Sequence, residues 1–143
     1  MAVIGRRMRR VVAERAAAVD PSLGGVAYGV LEHLHRTGAC RQSELVTALS
    51  SEKGAISRAV QQLVDLGLVA RVADPDDGRA HQIAISAEGG RRLQDVVSSR
   101  RATYAERLAD WSPDEIAGFV SALARYNAAL EQPVATPSRG TEQ

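Results

Sequence analysis

The sequence has few of the residues that build disulfides, aromatic cores or membrane spans. Cys40 is the only cysteine among 143 residues, which excludes an internal disulfide. Aromatic residues make up 3% of the chain, so the core must consist of Leu, Val, Ile and Ala, a composition that suits closely packed helices. The apolar runs are too short to cross a membrane, and the arginine-rich start has no apolar signal-peptide region. We therefore expect a cytoplasmic protein with no membrane partner.

The side chains of a catalytic site are also missing. The chain has three histidines, one cysteine and no glycine-rich phosphate loop, whereas a catalyst needs a nucleophile with a base or an open metal site. His33 and His35 lie two positions apart on a predicted helix, so their side chains point about 200° apart and cannot share a metal. We expect neither an enzyme nor a bound metal or cofactor. Cys40 is expected to be a buried, small apolar residue.

The net charge does not favour one class of partner. The chain carries 18 basic and 17 acidic residues, for a formal net charge of +1. A nucleic-acid partner is neither required nor excluded by this balance, because the positions of the charges decide what a surface can bind. Lys53 is the only lysine, so almost every candidate phosphate ligand is an arginine.

Helical spacing of apolar residues recurs in six segments of the chain. They are residues from about 2 to 19, a segment ending near Gly38, "RQSELVTALS", "AISRAVQQLVDLGL" ended by Gly67, a helix reaching about Asp110, and a last helix that starts at "SPDE". Ser86 is placed to cap the fifth helix. Ser112 and Glu115 form a capping box at the start of the sixth helix, with proline between them at its first position.

Alternation with period two indicates a β-hairpin in the middle of this helical chain. In the segments "LVARVA" and "HQIAIS", successive side chains belong to alternating faces. The two segments flank a loop of Asp, Pro and Gly. A helix–turn–helix followed by a hairpin is a winged helix. We therefore predict a mainly α fold with a small β-hairpin wing: one domain over residues 1–131 with its core at 23–88, flanked by helices at 1–20 and 89–131. Residues 132–143 are expected to be a disordered tail.

The fourth helix has one apolar and one polar face. The spacing turns Ile56, Ala59, Val60 and Leu63 toward the core. The outward and flanking positions are Lys53, Gly54, Ser57, Arg58, Gln61, Gln62 and Asp65. Arginine can donate two hydrogen bonds to guanine, and glutamine can pair with adenine. Taken alone, this face is more typical of a solvated surface helix, and the hairpin immediately downstream reverses that preference in favour of DNA binding.

The stretch from Glu44 to Leu93, "ELVTALSSEKGAISRAVQQLVDLGLVARVADPDDGRAHQIAISAEGGRRL", closely resembles the winged-helix core of the multiple-antibiotic-resistance regulator (MarR) family. The chain has "LGLV", "DPDDGR", "IS" and "AEG" in the order and register of that family. About a third of the sequence matches closely, and the flanking helices match only in length and placement.

The resemblance implies a homodimeric transcriptional repressor that binds double-stranded DNA. The terminal helices would interleave in the dimer, with Trp111 and Phe119 in the core at these helices. Each fourth helix would enter a major groove of a pseudo-palindromic operator, with half-sites about one helical turn apart. Asp77 would steady the wing, and Arg79 at its tip would meet the minor groove. A small-molecule effector would bind where the dimerisation helices meet the core and release the DNA; Arg15, Tyr28 and His33 are candidates by position.

Three features depart from the family pattern. Gly78 stands where a second basic residue is common in the family, which predicts that the wing binds DNA less tightly. Arg41 replaces the usual Ser or Thr cap before Glu44, so the third helix is expected to start loosely. Asp74 and Asp76 would repel phosphates, and we expect them to face away from DNA and pin the loop.

Two interpretations of this surface remain open at the level of the sequence. In the first, phosphate contacts would come from Ser43, Lys53, Arg58 and Arg71, with Gln42 as a further candidate. In the second, the winged fold is an adaptor that contacts proteins and does not bind specific DNA. The acidic wing and the near-zero net charge favour the adaptor, and the outward Arg58, Gln61 and Gln62 argue against it.

Overall fold

The computed structural model describes residues 2–130. Its elements are α1 (Ala2–Val19), α2 (Gly25–Thr37), α3 (Gln42–Ala48), α4 (Lys53–Asp65), β1 (Val69–Ala73), β2 (His81–Ile85), α5 (Ala87–Arg107) and α6 (Pro113–Leu130). The predicted fold class, mainly helical with one antiparallel hairpin after a helix–turn–helix, is confirmed. The tail predicted at 132–143 lies outside the described residues.

The chain divides inside α5 into two compact units, Met1–Arg101 and Ala102–Gln143. The buried core belongs to the first unit and is almost entirely aliphatic. The four residues assigned to the inner face of α4 (Ile56, Ala59, Val60, Leu63) are all buried, as their spacing predicts. In the second unit, none of the side chains of residues 102–129 is buried. No helix in the described part of the chain is long and apolar enough to cross a membrane.

The turn after α4 determines where the wing begins. Gly67 adopts a left-handed backbone with φ +70°. Its N–H donates to Val64 O at 2.9 Å, and the N–H of Leu68 donates to Leu63 O at 2.9 Å, which is the Schellman arrangement. Leu63 and Leu68 are both fully buried. The "LGL" segment therefore ends α4 and directs the chain into β1.

The wing is a two-stranded ribbon that is buried at its base, at Ile83 in the middle of β2 and at Asp74 near its tip. β1 and β2 pair with Val69 opposite Ile85 and Ala73 opposite His81. Beyond Val69, every residue of β1 is exposed, so the alternation in the sequence does not give that strand a buried face. Cys40 adds a short bridge to the ribbon: its N–H donates to Ile83 O at 3.2 Å, and Ile83 donates back at 2.8 Å. Cys40 is buried, and this burial raises the pKa of its thiol.

The start of α5 packs tightly against the turn that follows α4. The predicted Ser86 cap is present: its hydroxyl accepts from Gly89 N at 3.0 Å and donates to Gly67 O at 2.7 Å. A Cβ at Gly89 would lie 2.1 Å from Leu68 O, far inside contact distance. Gly89, the glycine of the "EG" pair, is therefore required for steric reasons, because only glycine fits against the carbonyl of Leu68.

Gly89→Ala should lower the free energy of unfolding by roughly 1–3 kcal/mol, since the backbone must shift to accommodate the methyl group. Gly90→Ala is the matched control, because a Cβ at Gly90 meets nothing within 4 Å. The control should be neutral or slightly stabilising through better helix propensity. Urea denaturation of both variants measures the difference; equal stability would show that the close approach to Leu68 does not exist in solution.

Candidate nucleic-acid interface

The α4 helix presents a polar face from its first turn onward. Lys53, Gly54, Ser57, Arg58 and Gln61 are all exposed on it, opposite the buried aliphatic face. Gly54 leaves the helix start without a side chain, so a surface can approach the backbone closely there. The exposed face matches the one that helical spacing indicates, and its role in binding stays a prediction.

The two glutamines of α4 differ in their surroundings. Gln61 is exposed, and its Nε2 donates to Asp65 Oδ1 at 2.8 Å along the helix surface. Gln62 is half-buried, and its Nε2 donates to Ser22 O, 40 residues away, at 2.9 Å. The structure therefore presents Gln61 beside Arg58, whereas it holds Gln62 against the loop that joins α1 to α2.

The α3 helix and the start of α4 form a shallow cleft of about 220 Å³ between them. Gln42, Ser43, Val46 and Lys53 line it. The structure thus brings together three of the candidate phosphate ligands, Gln42, Ser43 and Lys53, at one edge of the α4 face. Arg71 lies on the exposed part of β1, and Arg58 lies on α4.

The wing tip is closed by hydrogen bonds on both sides of Arg79. Asp74 N donates to Ala80 O at 3.1 Å, and Ala80 N donates to Asp77 O at 2.8 Å. The carboxylate of Asp77 accepts from Arg79 N at 3.1 Å. The loop therefore presents Arg79 as an exposed side chain on a constrained backbone.

Asp74 is the buried charge of the wing, with 4% of its surface exposed. Its carboxylate accepts from Arg41 Nε at 2.6 Å and from Asp76 N at 2.9 Å. The hydrogen bond from Arg41 holds the pKa of Asp74 below its usual value, assisted by the Asp76 N–H and the positive charge of Arg41. Asp74 thus pins the loop, and the ion pair with Arg41 was not predicted from the sequence.

The expectation that α3 starts loosely is wrong. The carboxylate of Glu44 accepts from the N–H of Arg41 at 2.6 Å, which supplies half of a capping box without a Ser or Thr hydroxyl. The arginine side chain is thereby left to reach Asp74. The Glu44 position three residues after the cap was the signal that could have indicated this bond.

The candidate effector residues do not form one group. Tyr28 is buried, and its hydroxyl donates to Glu32 Oε1 at 2.8 Å, while Arg100 pairs with the same carboxylate oxygen at 3.3 Å. Burial, followed by the hydrogen bond to Glu32, raises the pKa of Tyr28 to about 12. The positive charge of Arg15 opposes this rise in the pKa of Tyr28. Arg15 and Tyr28 therefore belong to the same neighbourhood.

His33 lies elsewhere, in a cleft of about 590 Å³ between α2 and α3. Cys40, Glu44 and Thr47 also line this cleft, whereas neither Tyr28 nor Arg15 does. The structure consequently separates His33 from the other two effector candidates. Within residues 2–130, no group of three or more His, Cys, Asp or Glu side chains could hold a metal ion.

Helices α3 and α4 with the β1–β2 ribbon constitute a winged helix–turn–helix, the class of fold in which an exposed second helix and a wing are presented on one side. Residues 22–80 match the family model described as MarR family. The uncharacterised HTH-type transcriptional regulator YxaD of Bacillus subtilis strain 168 is 28% identical over 122 residues, which are 85% of this chain and 85% of that relative.

Solved structures have the same fold. The MarR family transcription regulator SP03579 superposes with a TM-score of 0.77 at 22% identity, covering 91% of this chain and 87% of the other. BpsR of Bordetella bronchiseptica, whose DNA binding is regulated by 6-hydroxynicotinic acid, superposes with a TM-score of 0.59 at 21% identity, covering 87% of this chain and 98% of the other. Residues 22–80 are thus similar to the MarR family, and the solved structures show that the chain has the winged-helix fold.

Proposed function

We propose that this protein is a MarR-family transcriptional regulator, a homodimeric repressor that binds a pseudo-palindromic operator in double-stranded DNA. The observation that carries the proposal is the exposed face of α4: Lys53, Ser57, Arg58 and Gln61 stand on it, and none of its exposed side chains is aliphatic. Such a face is suited to base edges and phosphates and is poorly suited to an apolar protein partner. Its site of action is then the cytoplasm, where the operator DNA is.

Each residue of this surface has a distinct role in the proposal. Arg58 and Gln61 contact base edges, because they are exposed on the α4 face and carry the donors that guanine and adenine accept. Gly54 and Ser57 let the helix approach the groove. Ser43 and Lys53, which line the cleft between α3 and α4, contact phosphates, and so does Arg71 on β1. Gln42 lies at the rim of the cleft between α3 and α4. Gln62 contributes only if it leaves Ser22 O, so its contact with DNA is the weakest of the set.

The wing supplies the second point of contact. Arg79 reaches the minor groove next to the major groove that α4 occupies, where the narrow A·T-rich groove attracts a guanidinium. Asp77 steadies it through the 3.1 Å bond to Arg79 N. Because Gly78 adds no charge at the tip, Arg79 is the single basic side chain of the loop Asp74–Ala80.

Dimerisation is supported by the apolar side chains exposed on the terminal helices. Val3, Ile4 and Met8 on α1 are each more than half exposed. The second unit exposes Trp111, Phe119, Val120, Leu123 and Tyr126, with Trp111 and Phe119 in edge-to-face contact at 5.6 Å. Residues 102–129 bury no side chain and gain little stability alone, so a partner is needed to cover their exposed apolar side chains. In the proposal, residues 1–20 and 89–131 are the dimerisation helices of one domain.

A small-molecule effector completes the proposal. The DNA binding of BpsR, which has the same fold, is regulated by 6-hydroxynicotinic acid. In this chain, the candidate region is the neighbourhood of Arg15 and Tyr28, where the Glu32–Arg100 pair joins α2 to α5. A ligand there would change the spacing of the two α4 helices and release the operator. His33 faces the α2–α3 cleft and is the least suited of the three candidates.

Selection of bound fragments from a random DNA pool tests the function and gives the operator. On the selected duplex, the logarithm of the association constant should fall linearly with the logarithm of salt concentration, by about 0.9 per phosphate neutralised. With roughly 6–10 phosphate contacts per dimer, affinity should drop about 10³–10⁵-fold between 50 and 200 mM salt. A flat salt response, or a pool without enrichment, would contradict the proposal and favour the protein adaptor.

A further inference from the structure

Hydrogen bonds within the ribbon and its loop close the tip of the wing, and the ion pair between Arg41 and Asp74 ties that tip to α3. The ribbon is anchored in the core through Leu68, Val69 and Ile83. The remainder of β1 is exposed, and a two-stranded ribbon is marginally stable by itself in water. The direction in which Arg79 points therefore depends on contacts made along the ribbon and not on the core.

The segment that precedes α3 contacts the ribbon at two points. Cys40 exchanges two backbone hydrogen bonds with Ile83, at 3.2 and 2.8 Å, in the middle of β2. The next residue, Arg41, donates from Nε to Asp74 Oδ2 at 2.6 Å, at the end of the ribbon nearest the tip. Two consecutive residues thus fasten the middle and the far end of the wing.

The ion pair joins α3 to the loop that carries Arg79. At one end, the N–H of Arg41 is held by Glu44 at 2.6 Å, in the first turn of α3. At the other end, the side chain of Asp74 is 2% exposed and also accepts from Asp76 N at 2.9 Å. The backbone N–H of Asp74 closes the tip loop on Ala80 O at 3.1 Å. A movement of the tip therefore requires breaking a short ion pair, which is buried on the Asp74 side and 46% exposed on the Arg41 side, or moving α3 with it.

We infer that Arg41 is a positioning residue for DNA recognition: through Asp74 it fixes the wing relative to the helix–turn–helix, so that Arg79 and the α4 face engage neighbouring grooves together. Arg41 itself need not contact DNA. The inference rests on the proposed function, because it concerns how the proposed DNA-binding surface is held in shape.

The direction in which Asp74→Asn changes operator affinity distinguishes a positioning role from a purely electrostatic effect of the removed charge. Removing a negative charge beside DNA should raise affinity if charge alone matters, and it also frees Arg41 to approach a phosphate. If Asp74 positions the wing through Arg41, the same substitution should weaken operator binding about fivefold. Affinity that is unchanged or higher in Asp74→Asn would overturn the inference.

A double-mutant cycle tests whether Arg41 acts through the wing. Arg41→Met should weaken operator binding about fivefold in the wild-type background and have no further effect in the Arg79→Ala background. A general loss of folded protein would weaken binding equally in both backgrounds, and so would a direct phosphate contact by Arg41; either result contradicts the inference. The control is Arg36→Met, which removes an exposed arginine of α2 outside the proposed DNA-binding surface and the proposed dimerisation helices.

Amide hydrogen exchange on the DNA-free protein separates failure of this inference from failure of the proposed function. In Arg41→Met, the N–H groups of Asp76 and Ala80 should exchange about tenfold faster, while the amides of α4 keep their rates. Arg36→Met should change neither. Unchanged protection at the tip would overturn the inference whatever the protein binds, whereas wild-type protein that ignores DNA would overturn only the proposed function.

Discussion

Replacing Phe119 and Leu123 together with glutamate should convert the protein into a monomer and weaken operator binding by roughly 10²–10⁴-fold, the factor lost when two linked half-sites must be bound separately. Both side chains are about half exposed, 49% and 45%, and they lie within the apolar stripe of α6. Two carboxylates at a dimer core would have to be desolvated without partners, which prevents association. Sedimentation and binding to the selected operator measure both effects.

The matched control carries the same charges on the other side of the same helix. Ala117 and Ser121 lie roughly opposite Phe119 and Leu123 at 100° per residue, so Ala117→Glu with Ser121→Glu should leave the dimer intact. Truncation before Ser112 removes all of α6 and should give the same result as the Phe119 and Leu123 pair. A dimer that persists in the double-glutamate variant would contradict the proposed role of α6.

Arg79→Ala should weaken operator binding roughly thirtyfold, about 2 kcal/mol for the two wings of a dimer, without loss of folding or dimerisation. The side chain is exposed and stabilises nothing in the core, so its removal should not change stability by more than about 0.5 kcal/mol. The loss should be largest on operators whose flanks are A·T-rich, because those flanks give the narrow minor groove.

Arg79→Lys distinguishes the charge from the shape of the side chain. Lysine retains the positive charge and loses the planar guanidinium, so affinity should be intermediate. Arg36→Ala, at an exposed arginine of α2, is the control for an arginine removed elsewhere. If Arg79→Ala binds the operator as tightly as the wild type, the wing has no role in recognition.

Local patterns in the sequence predicted each element and much of the candidate surface. The period of α4 identified its buried face because a helix fixes the angle between successive side chains. Ser86 and the pair Ser112 and Glu115 marked helix starts, since capping depends on residues three apart or fewer. The Asp/Pro/Gly loop marked the hairpin for the same local reason.

The contacts that hold the surface in shape could not be predicted in this way. Arg41 and Asp74 are 33 residues apart, and Gln62 and Ser22 are 40 apart. Periodicity gives the direction of a side chain about its own helix axis, but it does not say which element lies opposite. This is also why His33 was grouped with Tyr28, although the fold directs His33 into the α2–α3 cleft.

By itself, the amino-acid order determined the six helices, the hairpin between them and the polar side of α4, because each depends on neighbours within one or two turns. Only the tertiary structure decided that Arg41 would fasten the wing, that Gln62 would turn to Ser22, and that the stripe on α6 would stay uncovered in a single chain. The physical reason is that hydrogen bonds and buried contacts between distant residues exist only after the elements have packed against one another.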